Sequence, residues 1–133
     1  MKVLYYALTF YPVNSGYSNA FQNLLNSLND TDLDIDIVTP VPLSDSKELE
    51  ISSNMTIHRI PGIKSKRFRG FINQKKISNF ITELDKKNNY DFILFETFEH
   101  VYVLSLLPKY IFNKLAIRIH GCLETETFVF SNK

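Results

Sequence analysis

Cysteine is almost absent from this 133-residue chain. Cys122 stands alone, which rules out an internal disulfide and any multi-cysteine metal site and fits a reducing compartment. Glycine is nearly as scarce: the four glycines form no G-x-G-x-x-G, no G-x-x-x-x-G-K-[ST] and no G-x-S-x-G. The usual dinucleotide fingerprint, the P-loop and the hydrolase nucleophile elbow are therefore all missing. His58, His100 and His120 are too scattered for metal-ligand spacing, so neither a metal nor another cofactor is expected. The acidic stretch around Asp30, Asp32, Asp34 and Asp36 lacks the glycine and terminal glutamate of a calcium loop and reads as a solvated turn. No apolar run is long enough to cross a bilayer, and residues 1–8 are too short for a secretory leader. The expectation is a cytoplasmic protein, at most peripheral to the inner face of a membrane.

Net charge is also small, +1, which gives the whole molecule no bias toward nucleic acid. Its distribution is uneven. Between residues 30 and 50, Asp30, Asp32, Asp34, Asp36, Asp45, Glu48 and Glu50 face one Lys47, whereas residues 64–76 carry Lys64, Lys66, Arg67, Arg69, Lys75 and Lys76 without an acid.

What is present is enough apolar residue, 44%, for one domain spanning residues 1–133 with a real core. Residues 3–8 are apolar on both faces, as in a strand buried on both sides of a parallel sheet. Pro12 ends it, and Ser15 or Ser18 is placed to cap a helix whose Phe21, Leu24, Leu25 and Leu28 share one face. Ile35, Ile37 and Val38 make a second strand closed by Pro40 and Pro42, and residues 55–60 a third, stopped by Pro61 and Gly62. Ile77, Phe80, Ile81 and Leu84 mark a second amphipathic helix with Lys75, Lys76, Lys86 and Lys87 opposite. Residues 92–95 are a second central strand. Residues 101–112 read as a helix broken by Pro108 near Leu107, and Leu115, Ala116, Ile117 and Ile119 as a fifth strand.

Strands alternating with helices at these lengths predict an open, mostly parallel α/β sheet, Rossmann-like, with helices on both faces. With strand order 3-2-1-4-5, a ligand crevice lies beyond the carboxyl ends of strands one and four. Topology then gathers Asn14, Ser15, Glu96, Thr97, Glu99, His100, Arg118 and His120 at one edge. Several have plainer readings. Gly16 is either a turn glycine or a phosphate neighbour, and Glu96 either a helix cap or a substrate ligand. Arg118, in an apolar strand, needs a partner: Glu96 or Glu99 structurally, or a bound phosphate functionally. His120 ends a hydrophobic strand and precedes a glycine, which favours a ligand-facing role. His58 and His100 read as ordinary surface residues.

The order of these features resembles the N-terminal domain of GT-B fold glycosyltransferases of the family 4 type. The residues carrying the resemblance are Met1-Lys2-Val3-Leu4, the loop from Tyr11-Pro12 to Gly16, Tyr90-Asp91-Phe92-Ile93, and Ile117-Arg118-Ile119-His120-Gly121. The resemblance implies retaining, metal-free transfer of a sugar from a nucleotide-sugar donor to a glycan or lipid-linked acceptor. It assigns a catalytic role to His120, donor contacts to Gly16, Ser15 and Gly121, and acceptor contacts to Asn14, Tyr17, Glu96, Thr97 and Arg118. The family's glycine pair is reduced here to Ser15-Gly16. Its second, nucleotide-binding domain with an E-x7-E motif does not occur in these residues, so the chain is expected to be a truncated half, inactive alone. The resemblance also suggests a lipid-facing role for Lys64, Lys66, Arg67 and Arg69. At about 1 kcal/mol per cation near anionic lipid, they would hold the domain reversibly, the alternative being a solvated loop. The rival class is a non-catalytic flavodoxin-like binding or regulatory module.

Overall fold

The structure is a computed structural model that describes residues 1–7, 16–29, 31–41, 51–64, 71–96 and 101–118. Its elements are β1 (Lys2–Tyr6), α1 (Gly16–Ser27), β2 (Asp34–Val41), β3 (Met55–Lys64), α2 (Phe71–Asn88), β4 (Phe92–Phe95), α3 (Val101–Leu106), a 3-10 turn (Lys109–Lys114) and β5 (Leu115–Ile117). All pairings are parallel, in the order β3-β2-β1-β4-β5. The expected Rossmann-like α/β fold is what the chain adopts.

Strand parity divides the interior in two. Along β1, Leu4 and Tyr6 enter a core with Val38, Ile60, Ile93, Phe95 and, from the helices, Ile77, Ile81 and Val103. Tyr5 and Ala7 point the other way, into a core with Phe21 and Leu25 of α1, Ile35, Ile37 and Met55. Thus α1 covers one face and α2 with α3 the other. Each fully buried Ile, Leu or Phe contributes roughly 1.5–3 kcal/mol. The apolar positions read from the helical spacing are those that pack: Phe21, Leu24, Leu25 and Leu28 in α1, and Ile77, Phe80, Ile81 and Leu84 in α2. The lysines opposite them on α2 are exposed. Pro108 breaks the third helical stretch as expected, with α3 ending at Leu106 and the 3-10 turn beginning at Lys109.

Four local expectations are corrected. Pro40 lies inside β2. The last β1 partner on that strand is Val38, opposite Tyr6, so Pro40 sits past the end of β1 with a single neighbour strand, where a missing N–H is tolerated. Pro61 and Gly62 do not end β3 but make a bulge: Pro40 pairs with Ile60 while Val41 pairs with Lys64. Gly62 supplies the left-handed φ of 72°, and the excursion buries Ile63 completely. Ser18 lies inside α1, which starts at Gly16, and is not its cap. Finally, His58 is not an ordinary surface residue, because its Nε2 lies 3.0 Å from Asp36 Oδ1.

That contact belongs to a polar network at the amino edge of the sheet. The Tyr90 hydroxyl donates to Asp36 Oδ2, and Asn88 Nδ2 donates to the same oxygen at 3.2 Å and to Tyr90 Oη at 2.7 Å. Burial alone would raise the Asp36 carboxyl, but hydrogen bonds from His58 and Tyr90 and the charges of His58 and Lys2 outweigh it and hold the group below its ordinary value. Nearby, buried Asp85 of α2 takes Lys114 Nζ at 2.6 Å and the Tyr90 amide at 3.3 Å. Lys114 also donates to Tyr90 O at 3.2 Å. This pair joins the end of α2 to the lead-in of β5.

Two outcomes are expected in chemical denaturation. Lys114→Met strands the Asp85 carboxylate and costs about 3 kcal/mol. Asp36→Asn costs about 1–2 kcal/mol near neutral pH. Because the folded carboxyl is held below its unfolded value, that cost is full above the unfolded carboxylate range and shrinks as pH falls through the folded value, which denaturation midpoints measured between pH 3 and 7 will read.

Candidate functional site

The crossover from β1 to β2 runs through α1 on one face, and that from β3 to β4 through α2 on the other. The two connections diverge at the boundary between β1 and β4, which makes the carboxyl ends of those strands the natural ligand position. Two of the sequence-predicted site residues fall there. Glu96 follows the last residue of β4 and is buried; Arg118 follows the last residue of β5, and its amide donates to Phe95 O at 2.8 Å, continuing the ladder one step. With Phe95 opposite Ile117, the next rung places Glu96 beside Arg118.

Parity brings a third group to them. Tyr5 pairs with Leu94, two residues before Glu96, so its side chain lies on the α1 face of the sheet one rung behind. Its ring stacks on Phe21 with centroids 4.1 Å apart and planes 25° apart, which fixes where the hydroxyl points. The phenol is pushed up to about 12, by burial first and then by the Glu96 charge, with Arg118 opposing. Glu96 is raised to about 7 by burial, against the Arg118 charge and the Tyr5 hydroxyl, both of which favour the ionised form. Among the described residues, Tyr5 Oη and Arg118 Nη1 are buried polar atoms without a hydrogen-bond partner.

The arrangement therefore offers two donors and a carboxylate that can accept or, once protonated, donate. A carboxyl poised near neutrality inside a crevice is the kind of group that sites for proton transfer or polar ligands contain.

Of the remaining predicted residues, Gly16 opens α1 and Tyr17 follows it, while Lys64 ends β3. Asn14, Ser15, Thr97, Glu99, His100, His120, Gly121, Lys66, Arg67 and Arg69 lie outside the described residues. Among the described residues no group of His, Cys, Asp and Glu is arranged to hold a metal ion, and no helix is long and apolar enough to cross a membrane. Tyr5 was not anticipated. A strand apolar on both faces hides which of two adjacent tyrosines, Tyr5 or Tyr6, shares a face with the residue after β4; that became legible only with the register of β1 against β4.

The raised carboxyl has a measurable consequence. The unfolded chain ionises Glu96 near 4.5 and the folded chain near 7, so stability attributable to this residue declines as pH rises between those values. Glu96→Gln is expected to leave the melting temperature nearly unchanged at pH 5 and to raise it by a few degrees at pH 8, on the order of 1–2 kcal/mol, in thermal scans at the two pH values.

Comparison with known proteins gives no relative: no family model matches the chain, and no curated protein matches it in sequence.

Proposed function

We propose that this chain is the acceptor-side half of a two-domain, retaining, metal-independent glycosyltransferase that moves a sugar from a nucleotide-sugar to a glycan or lipid-linked acceptor. The observation that carries the reading is the row of Tyr5, Glu96 and Arg118 at the β1–β4 boundary. It is a polar group set at the end of an otherwise apolar sheet, at the position where an α/β domain presents ligands. Supporting it are the strand order and the start of α1 at Gly16, beside that same edge. Oriented amides at such a helix start suit the donor's diphosphate.

In this reading Gly16, Ser15 and Gly121 approach the donor and His120 the transferred sugar. Asn14, Tyr17, Glu96, Thr97 and Arg118 face the acceptor. The other wall of the cleft is a separate nucleotide-binding domain. The protein works in the cytoplasm, where Lys64, Lys66, Arg67 and Arg69 touch an anionic membrane surface and bring the site to a lipid-linked acceptor.

The test is amide-shift mapping of the 15N-labelled chain with uridine and guanosine diphosphates and their sugar conjugates, alongside a transfer assay. Saturable shifts at the first turn of α1 are expected, with no turnover by the 133-residue chain alone. Shifts confined to the opposite sheet edge around Asp36 and His58, or no shifts, would remove the proposal. Turnover by the isolated chain would contradict its half-cleft form.

A further inference from the structure

The three side chains at the carboxyl edge differ in what they demand of a ligand. Tyr5 is 3% exposed, and its hydroxyl has no hydrogen-bond partner among the described residues. A buried donor left unpaired costs on the order of 1–3 kcal/mol. Arg118 places a second buried donor, Nη1, in the same situation while the residue as a whole remains half-exposed, so it links the buried cluster to solvent. Glu96 adds a carboxylate, whose two oxygens together accept about four hydrogen bonds, leaving capacity beyond any one partner.

Two donors and one acceptor converging on a point are matched by an atom that accepts twice and donates once. An alcohol oxygen does this, with two lone pairs and one proton. A phosphate oxygen does not: it satisfies Tyr5 and Arg118 but brings negative charge against Glu96 in a buried setting, where like charges repel strongly. The charge sum points the same way. Arg118 and ionised Glu96 cancel, leaving no net charge to attract an anion.

We propose that Tyr5, Glu96 and Arg118 form a subsite for a neutral hydroxyl group of a sugar ring and exclude free phosphate, with Tyr5 as the residue that sets this preference. That the hydroxyl belongs to a carbohydrate rests on the function proposed above; the preference for a hydroxyl over an oxyanion rests on the three side chains alone. The guanidinium and phenol grip the oxygen's lone pairs, and the carboxylate takes its proton in a hydrogen bond. Phe21 acts behind Tyr5 as a positioning residue, because its stacked ring holds the phenol on line.

The experiment is amide-shift titration at pH 8, where Glu96 is largely ionised, using methyl α-glucoside, methyl α-galactoside and methyl α-mannoside as hydroxyl probes and inorganic phosphate as the anion. At least one glycoside is expected to shift the amides of Tyr6, Ala7, Glu96 and Arg118 saturably in the millimolar range, and phosphate at equal concentration is not. Tyr5→Phe keeps the ring stack and is expected to weaken glycoside binding about fivefold, the equivalent of one hydrogen bond. Arg118→Gln, at an exposed strand end, provides the second variant and a similar loss. Saturable phosphate shifts at these amides, no glycoside response, or wild-type affinity in both variants would overturn the inference. Failure here with an intact diphosphate response at α1 leaves the transferase reading standing. The reverse pattern removes that reading and keeps the hydroxyl subsite.

Discussion

Burial of β1 on both faces is the constraint from which the rest of the domain follows. The strand pairs with β2 on one side and β4 on the other, and its successive side chains enter two different cores. Leu4 and Tyr6 anchor the α2 and α3 layer, while Tyr5 and Ala7 anchor the α1 layer. A polar residue at Leu4 or Ala7 would strike the heart of one layer and leave the other facing it across a single backbone. The topological divergence at β1 and β4 is the same fact seen from the connections: with both faces of β1 occupied, α1 takes one and α2 the other.

This arrangement was legible in the sequence to the extent that packing has a period. The continuous apolar stretches of β1 and β4, the helical spacing of Phe21, Leu24, Leu25 and Leu28, and the break at Pro108 all appear where the residues place them. Prolines near strand ends were less readable. Whether Pro40 or Pro61 ends a strand depends on whether a neighbour needs its N–H, and only the sheet order answers that. His58 shows the same limit from another side. Its role is set by Asp36 on the adjacent strand, one residue among many at unrelated sequence distance.

The carboxyl-edge site was half legible. Glu96 and Arg118 stood out because charged residues at the ends of apolar strands need an account. Tyr5 did not, since an aromatic residue in a buried strand is already explained by its ring. The chemistry of the three depends on burial that no residue type announces: the same carboxylate in water would ionise far below neutrality and carry no special meaning.

The short link between α2 and β4 has a reach beyond its size. Asn89 takes a left-handed φ of 51° and its amide closes the helix end on Asp85 O at 2.7 Å. Two residues later Asp91 locks onto β1, accepting from the Lys2 amide at 2.7 Å through its side chain and donating its own amide to Lys2 O at 2.9 Å. These contacts set the phase of β4. A strand has a two-residue repeat, so one residue added or removed in this link would turn Ile93 and Phe95 toward α1 and swing Glu96 to the far side of the sheet. The polar chemistry at one rim is thus timed by a clasp at the other, some four rungs away, and the link's length is as much a part of the site as the carboxylate it delivers.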